Sequence, residues 1–221
     1  MHPDLLPTLA AVPLFTNIPQ PDLAQLAAMA RQENYPKNAE IMAEGDRSSG
    51  LYILLSGKVK VVLRNEGGKE IILAILNPTE FFGEMALLDD APRSADIVAM
   101  APTSVLVIAK REFKTWLQRQ PEMPLVIIKT LAQRLREADR KIGDLALMDV
   151  YGRVARALLG LAKEDHLGRM VVSDNLSQQS LADIVGASRE MVSRTLKDLE
   201  QVGHIWFDGK DIVVNQHAER I

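Results

Sequence analysis

The stretch that most constrains this chain is residues 177–200, Ser-Gln-Gln-Ser-Leu-Ala-Asp-Ile-Val-Gly-Ala-Ser-Arg-Glu-Met-Val-Ser-Arg-Thr-Leu-Lys-Asp-Leu-Glu. Two short helical patterns meet at Gly186-Ala187. The first runs over about residues 177–185 and puts Leu181, Ile184 and Val185 on one face. The second opens at Ser188, whose hydroxyl suits an N-cap, and carries an apolar stripe of Val192, Leu196 and Leu199 at helical spacing. Ala182 is small where two helices must approach closely. Gly186 stands where a sharp turn needs a residue that tolerates positive φ. The pattern predicts a helix-turn-helix unit, whose second helix enters the major groove of duplex DNA.

Arg189, Glu190, Ser193 and Arg194 fall off that stripe, toward the end of the second helix that meets base edges. Arg pairs with guanine O6 and N7, Glu accepts from cytosine N4, and Ser serves either partner. A solvated charged face is the competing reading. The turn signature preceding the charges in register favours DNA. Ser177, Gln179, Ser188 and Lys197 complete the expected DNA-facing set.

This segment resembles the catabolite-activator/FNR (CRP/FNR) superfamily of bacterial transcription regulators. Ser-Arg-Glu-x-Val-x-Arg at residues 188–194 matches the catabolite-activator recognition helix. The resemblance implies a TGTGA-type half-site, with Arg189 and Arg194 on guanines and Glu190 on a cytosine. Glu190-x-x-Ser193-Arg194 also fits the FNR pattern with its TTGAT-like half-site, and Arg189 tips the balance toward the first.

The whole-chain charge gives no general support for DNA binding. The net charge is −3, and from residue 150 onward nine Lys and Arg stand against ten Asp and Glu. The DNA reading therefore rests on local geometry, with weak non-specific affinity and strong salt dependence expected.

Residues 2–32 read as short helices, one of them opened by Pro21-Asp22-Leu23. From about residue 34 to 109 the pattern turns to short β-rich runs. These are Leu51-Tyr52-Ile53-Leu54-Leu55, then Val59, Val61 and Leu63 alternating with Lys58, Lys60 and Val62, a Gly67-Gly68 turn, a return over residues 70–76, and later runs at 94–100 and 104–109. Such spacing predicts a sandwich or jelly roll.

Inside it lies Phe82-Gly83-Glu84-Met85-Ala86-Leu87-Leu88-Asp89-Asp90-Ala91-Pro92-Arg93-Ser94-Ala95. A glycine, amides opening a short helix, a carboxylate and an arginine in one loop are the parts needed to hold a phosphate and a ribose hydroxyl. The string resembles the phosphate-binding cassette of cyclic-nucleotide-binding domains. Its length and its Pro-Arg-x-Ala ending are closer to the protein kinase A regulatory-subunit form than to the longer catabolite-activator loop. By that resemblance Glu84 takes the ribose 2′-OH, Arg93 and Ser94 hold the cyclic phosphate, Gly83 lets the backbone approach, and Val61 and Leu73 pack on the base. Met85 and Ala95 complete the cassette's expected contacts.

Residues 110–120 read as a helix stopped by Pro121, and about 124–148 as a longer one. Its Ile128, Leu131, Leu135, Ala138, Ile142 and Leu145 form an a/d seam over nearly three heptads. A narrow seam flanked by charges predicts a parallel homodimer, and it matches the family's central C-helix. Asp149-Val150-x-Gly152-Arg153 resembles the hinge that follows. At the two C-helix positions that contact adenine in the catabolite activator, this chain has Ala138 and Asp139, while Arg134 matches a basic position there. Asp139 either accepts from guanine N1–H and N2–H₂ or is a seam charge.

Residues 150–162 read as an amphipathic helix and 163–169 as a loop. His204-Ile205-Trp206-Phe207 and Asp211-Ile212-Val213-Val214 read as a hairpin wing, with Lys210 at a phosphate.

The expected architecture is α+β. It comprises a cyclic-nucleotide-binding β-roll domain (1–121), a dimerisation helix and hinge (122–149) and a winged helix-turn-helix (150–221). The expected function is a homodimeric, allosteric transcription regulator, with cyclic AMP as the effector and cyclic di-GMP, cyclic GMP or no nucleotide gate as alternatives. RNA polymerase is an expected partner, and no membrane is. The absence of cysteine excludes disulfides and a thiolate-held iron–sulfur cluster, and the four histidines (His2, His166, His204, His217) show no metal-ligand spacing. With no catalytic motif and no signal peptide, a non-enzymatic cytoplasmic protein is expected.

Overall fold

The computed structural model describes residues 5–16, 18–47, 50–173 and 176–215; His2 and His217 lie outside them. The chain divides into two compact units. One comprises Met1–Gly68 and Leu73–Leu135, the other Lys69–Ile72 and Arg136–Ile221.

The first unit opens with α1 (Leu5–Ala10), a 3-10 turn at Pro13–Phe15 and α2 (Gln20–Met29). Eight strands follow: β1 (Arg31–Tyr35), β2 (Glu40–Met42), β3 (Gly50–Ser56), β4 (Val59–Arg64), β5 (Glu70–Leu76), β6 (Phe81–Phe82) and, after the single-turn α3 (Met85–Leu88), β7 (Asp96–Ala99) and β8 (Thr103–Ala109). They build two four-stranded sheets in the orders β1-β8-β3-β6 and β2-β7-β4-β5. This is the expected β-roll.

The continuous apolar run at residues 51–55 has a direct cause. Successive side chains of a strand point to opposite faces, and β3 is covered on both. Leu51 and Ile53 face a core made with Leu9, Phe15, Leu26, Phe113 and Trp116. Tyr52 and Leu54 face a second core with Val59, Phe82, Ile97 and Val105. The same division splits β8, with Leu106 and Ile108 on the helical side and Val105 and Val107 between the sheets.

Several local readings need correction. The first helical region stops at Met29, and β1 begins at Arg31. Its sequence, Arg-Gln-Glu-Asn-Tyr, is polar because β1 is an edge strand, paired among the described residues with β8 alone. In β4 the fully buried residues are Val59 and Val62, on opposite faces, so simple period-two alternation fails there.

The helix α4 (Lys110–Leu117) ends ahead of Pro121, and α5 (Met123–Leu147) follows. α5 contributes its first half to the first unit, where Met123 and Ile127 enter the core and Leu131 packs partly against it.

The second unit holds the remainder of α5, then α6 (Val150–Leu161), β9 (Lys163–Glu164), β10 (Met170–Val172), α7 (Gln178–Val185), α8 (Arg189–Gln201), β11 (Ile205–Asp208) and β12 (Asp211–Val214). The segment at 163–169 read as a loop opens with the two-residue β9, and its remainder is the turn that joins β9 to β10 in a short hairpin. With the wing it forms a four-stranded sheet in the order β11-β12-β10-β9. The two-residue β9 has no periodicity to read. Asp165 closes its turn by accepting from the N–H of Leu167 and of Arg169 and from Arg169 Nε. These bonds, with the Arg169 backbone amide foremost, hold its carboxyl down at about 2. Val154, Leu158, Leu181, Val185, Val192, Leu196, Leu199 and Ile205 make the core.

Candidate functional site

Two sites emerge, one in each unit. In the first, β6 delivers the chain to Gly83, whose φ is +82°. A Cβ there would lie 2.7 Å from Arg93 Nη1 and 2.9 Å from the Gly50 carbonyl oxygen, so glycine is required by conformation and by space.

Arg93, 3% exposed, is among the most buried charged residues described. Its Nη1 donates to the Gly83 carbonyl at 2.7 Å and its Nη2 to the Gly50 carbonyl at 3.1 Å. The guanidinium lies 5.7 Å from the centroid of the Tyr52 ring, and that ring stacks on Phe82. Nε is buried without an acceptor, and no carboxylate pairs with the guanidinium among the described residues. Burial is the main cause that pushes its pKa below the ordinary arginine value. Burial also pushes the Tyr52 hydroxyl up, against the opposing pull of Arg93.

Glu84, 4% exposed, receives Arg134 Nη1 at 2.6 Å. Arg134 Nη2 donates to the Phe81 carbonyl, and its guanidinium lies 4.9 Å from the Phe81 ring centroid. Met85 and Ser94 are exposed and meet each other, with the Ser94 hydroxyl 3.7 Å from the Met85 sulfur. Ala95 is buried, Val61 is half-buried and Leu73 is 41% exposed. Asp90, in the left-handed region at φ +59°, accepts from both Lys110 and Lys114 and ties the end of the cassette to α4. Those two lysines, Lys110 first, hold its carboxyl below the usual range. No charge pattern in the sequence pointed to Asp90, because its partners lie 20 and 24 residues away.

In the second unit, Ser177 caps α7 by accepting from the Ser180 N–H at 3.0 Å, and Ser188 caps α8 by accepting from the Met191 N–H at 3.2 Å. Gly186 closes α7 at φ +65°, and a Cβ there would lie 2.9 Å from Leu145 Cδ2. Arg189, Glu190, Arg194 and Lys197 are exposed along one side of α8, and Ser193 is half-buried. Arg189, Arg194 and Lys197 have no hydrogen-bond or ion-pair partner among the described residues. Its own backbone N–H, then the Ser188 hydroxyl, hold the Glu190 carboxyl below the usual range. Gln179 donates to Asp183 at 2.8 Å. Lys210 sits in the turn between β11 and β12, beside Gly209 at φ +62°.

The hinge residues have specific work. Asp149 caps α6 through the Gly152 N–H at 2.8 Å. Arg153 donates from Nε to the Val185 carbonyl and from Nη1 to the Met148 carbonyl, both at 2.8 Å. It thereby satisfies a terminal carbonyl of α7, the helix that precedes the turn. The hinge resemblance named Arg153 without this role.

The remaining sequence-predicted residues lie on α5. Arg134 reaches the cassette, whereas Ala138 and Asp139 are exposed in the second unit. Of the seam, Ile128, Leu135 and Ile142 are 60%, 62% and 64% exposed, Leu131 is half-buried, and Leu145 fills the space at Gly186.

A family model described as a cyclic nucleotide-binding domain matches residues 32–120, and a Crp-like helix-turn-helix domain matches residues 152–219. The chain is 32% identical over 216 residues to the CRP-like cAMP-activated global transcriptional regulator of Mycobacterium tuberculosis, covering 96% of each chain. The chain belongs to the CRP/FNR family. Another relative is the cAMP-activated global regulator Vfr of Pseudomonas aeruginosa, 36% identical over 200 residues, with 87% of this chain and 92% of Vfr covered. Among solved structures, the c-di-GMP responsive global regulator CLP of Xanthomonas campestris superposes with a TM-score of 0.77 at 28% identity, over 89% of this chain and 99% of CLP. The cassette of this CRP/FNR protein thus lies within its cyclic-nucleotide-binding domain, and α7 and α8 form its DNA-binding helix-turn-helix.

Proposed function

We propose that this CRP/FNR regulator is a homodimer gated by a cyclic purine nucleotide, with cyclic AMP the first assignment, and that it binds a TGTGA-type palindrome. The observation that carries the ligand reading is Arg93. A buried guanidinium held only by carbonyls, with Nε unsatisfied, is a cation awaiting an anion. In this reading the cyclic phosphate meets Arg93 and Ser94, and the ribose 2′-OH meets Glu84. Gly83, Met85 and Ala95 shape the loop, Val61, Leu73, Arg134 and Ala138 surround the base, and Asp139 stands next along α5 either as a base acceptor or as a seam charge. The ligand shifts a two-state equilibrium that presents two copies of α8 one DNA turn apart, through its differential affinity for the two states. Residues 1–121, 122–149 and 150–221 then act as sensor, dimer helix with hinge, and reader. The dimer forms along Ile128, Leu131, Leu135, Ala138, Ile142 and Leu145, and RNA polymerase is the downstream partner in the cytoplasm.

Calorimetric titration with cyclic AMP, cyclic GMP and cyclic di-GMP tests the effector. Wild type binds one of them, and Arg93→Ala loses affinity by on the order of a hundredfold, the scale of a charged hydrogen bond removed from a buried site. No heat with any of the three refutes nucleotide gating. Cyclic di-GMP is kept as a second reading because Ala138 and Asp139 lack the hydroxyls that the family uses for adenine, and because the fold is similar to that of CLP.

On the DNA side, the reading places Arg189, Glu190, Ser193 and Arg194 at bases. Ser177, Gln179, Ser188, Lys197 and Lys210 lie at the backbone. Arg189→Ala or Arg194→Ala is expected to cost about 1–3 kcal/mol of operator affinity and to relax one base position, read by anisotropy on single-substitution operators. Unchanged affinity in both variants refutes the base-reading assignment.

A further inference from the structure

The charges that flank the α5 seam are few, and their register is specific. With Ile128, Leu135 and Ile142 at a positions, Arg134 and Lys141 occupy g positions, and Ala132, Asp139 and Ala146 occupy e positions. In a parallel two-stranded coil a g residue faces the e residue of the following heptad on the other helix. In such a coil Arg134 would face Asp139 of the partner subunit, and Asp139 is the one charge in those three e positions.

Within the protomer the two residues are left in complementary states. Arg134 donates Nη1 to Glu84 at 2.6 Å and Nη2 to the Phe81 carbonyl, while its Nε has no acceptor among the described residues. Asp139 is exposed and has no hydrogen-bond or ion-pair partner among the described residues. Lys141, the other charged g residue, already donates to the Ile72 carbonyl. Neighbouring Leu135 and Ile142 are 62% and 64% exposed, an apolar stripe that needs an equally narrow apolar partner.

The geometry points to a cassette completed in trans: the partner's Asp139 accepts from Arg134, so that each guanidinium serves Glu84 of its own chain and one carboxylate of the other. This rests on the paired-helix reading above and adds a register, an orientation and a link to the ligand. Arg has five N–H donors and can hold both carboxylates at once. When a ribose hydroxyl takes Glu84, Arg134 turns more fully to Asp139 of the partner subunit, and dimer affinity rises with ligand occupancy. Asp139 is thereby assigned to the dimer contact, not to the reading of a base.

The test uses full-length chains carrying tags of different mass. Arg134→Glu and Asp139→Arg each place like charges across the seam in their homodimers, whereas the mixed dimer places opposite charges at both contacts. After exchange, native mass spectrometry is expected to show heterodimer over homodimers by roughly tenfold. As a milder check that leaves Arg134 intact, Asp139→Asn is expected to weaken the wild-type dimer by about three- to tenfold in sedimentation equilibrium. Random mixing of the two variants, with an unchanged Asp139→Asn dimer, overturns the trans pair and leaves the dimer reading standing. A wild type that sediments as a monomer with and without nucleotide removes both.

Discussion

At the scale of single residues, the cassette depends on two positions that constrain each other. Arg93 occupies the volume that a side chain at 83 would need, so the left-handed backbone of Gly83 and the buried guanidinium are one arrangement. Gly83→Ala forces the loop to shift against the Gly50 carbonyl and the Arg93 head, while holding alanine at positive φ. The expected cost is about 1–3 kcal/mol of stability in urea unfolding, because strain at φ +82° and loss of the Arg93 bonds both act on the folded state. Nucleotide affinity falls with it. An alanine variant with wild-type stability and affinity refutes the shared constraint. The sequence announced both residues, as a Gly-Glu and a Pro-Arg at the two ends of one loop. It did not announce that Arg93 turns onto the carbonyls of Gly83 and Gly50, since Gly50 belongs to a strand 43 residues away. Asp90 and its two lysines were hidden for the same reason.

At the scale of elements, legibility followed periodicity. α5, α7 and α8 were readable because their apolar positions recur at helical spacing over several turns, and Ser177, Ser188 and Gly186 mark the ends as N-caps and a left-handed C-cap. β3 was readable as a solid apolar run because both of its faces are covered. The polar edge strand β1 and the short β9 and β10 were not, because edge pairing and two- or three-residue strands leave almost no pattern in side-chain polarity. The seam of α5 was legible as a repeat, yet only the fold shows that its a positions stay open while Leu131 and Leu145 pack within their own chain. That division makes a sharp test possible. Ile142→Glu alters a side chain that is 64% exposed in the protomer, so the folded chain is expected to keep its helical circular dichroism and its unfolding midpoint under dilute conditions. Sedimentation equilibrium is expected to show a dimer weakened by at least about a hundredfold, since a carboxylate must then be buried in an apolar seam. A loss of fold instead places Ile142 inside the protomer core.

At the scale of the whole molecule, charge sets how α8 finds its target. The chain carries a net charge of −3, yet Arg189, Arg194 and Lys197 stand exposed on one side of a single helix, with no hydrogen-bond or ion-pair partner among the described residues. At physiological ionic strength the screening length is about 8 Å, so phosphates beside α8 feel those three cations, offset in part by Glu190 on the same side, more than the acids farther away. As salt falls, the excess acid repels DNA from farther away and offsets part of the usual gain in non-specific binding. Anisotropy with an operator palindrome and a scrambled duplex, measured over a range of salt, separates the roles. Lys197→Ala is expected to lower affinity for both duplexes and to reduce the logarithmic salt slope by about 1 per half-site, because it removes a phosphate contact. Arg189→Ala is expected to lower operator affinity alone and so narrow the gap between the duplexes, because a base contact contributes where its guanine is present. Equal losses from both variants on both duplexes would reduce α8 to a merely cationic surface, and the register of its charges behind the Gly186 turn would then carry no sequence information.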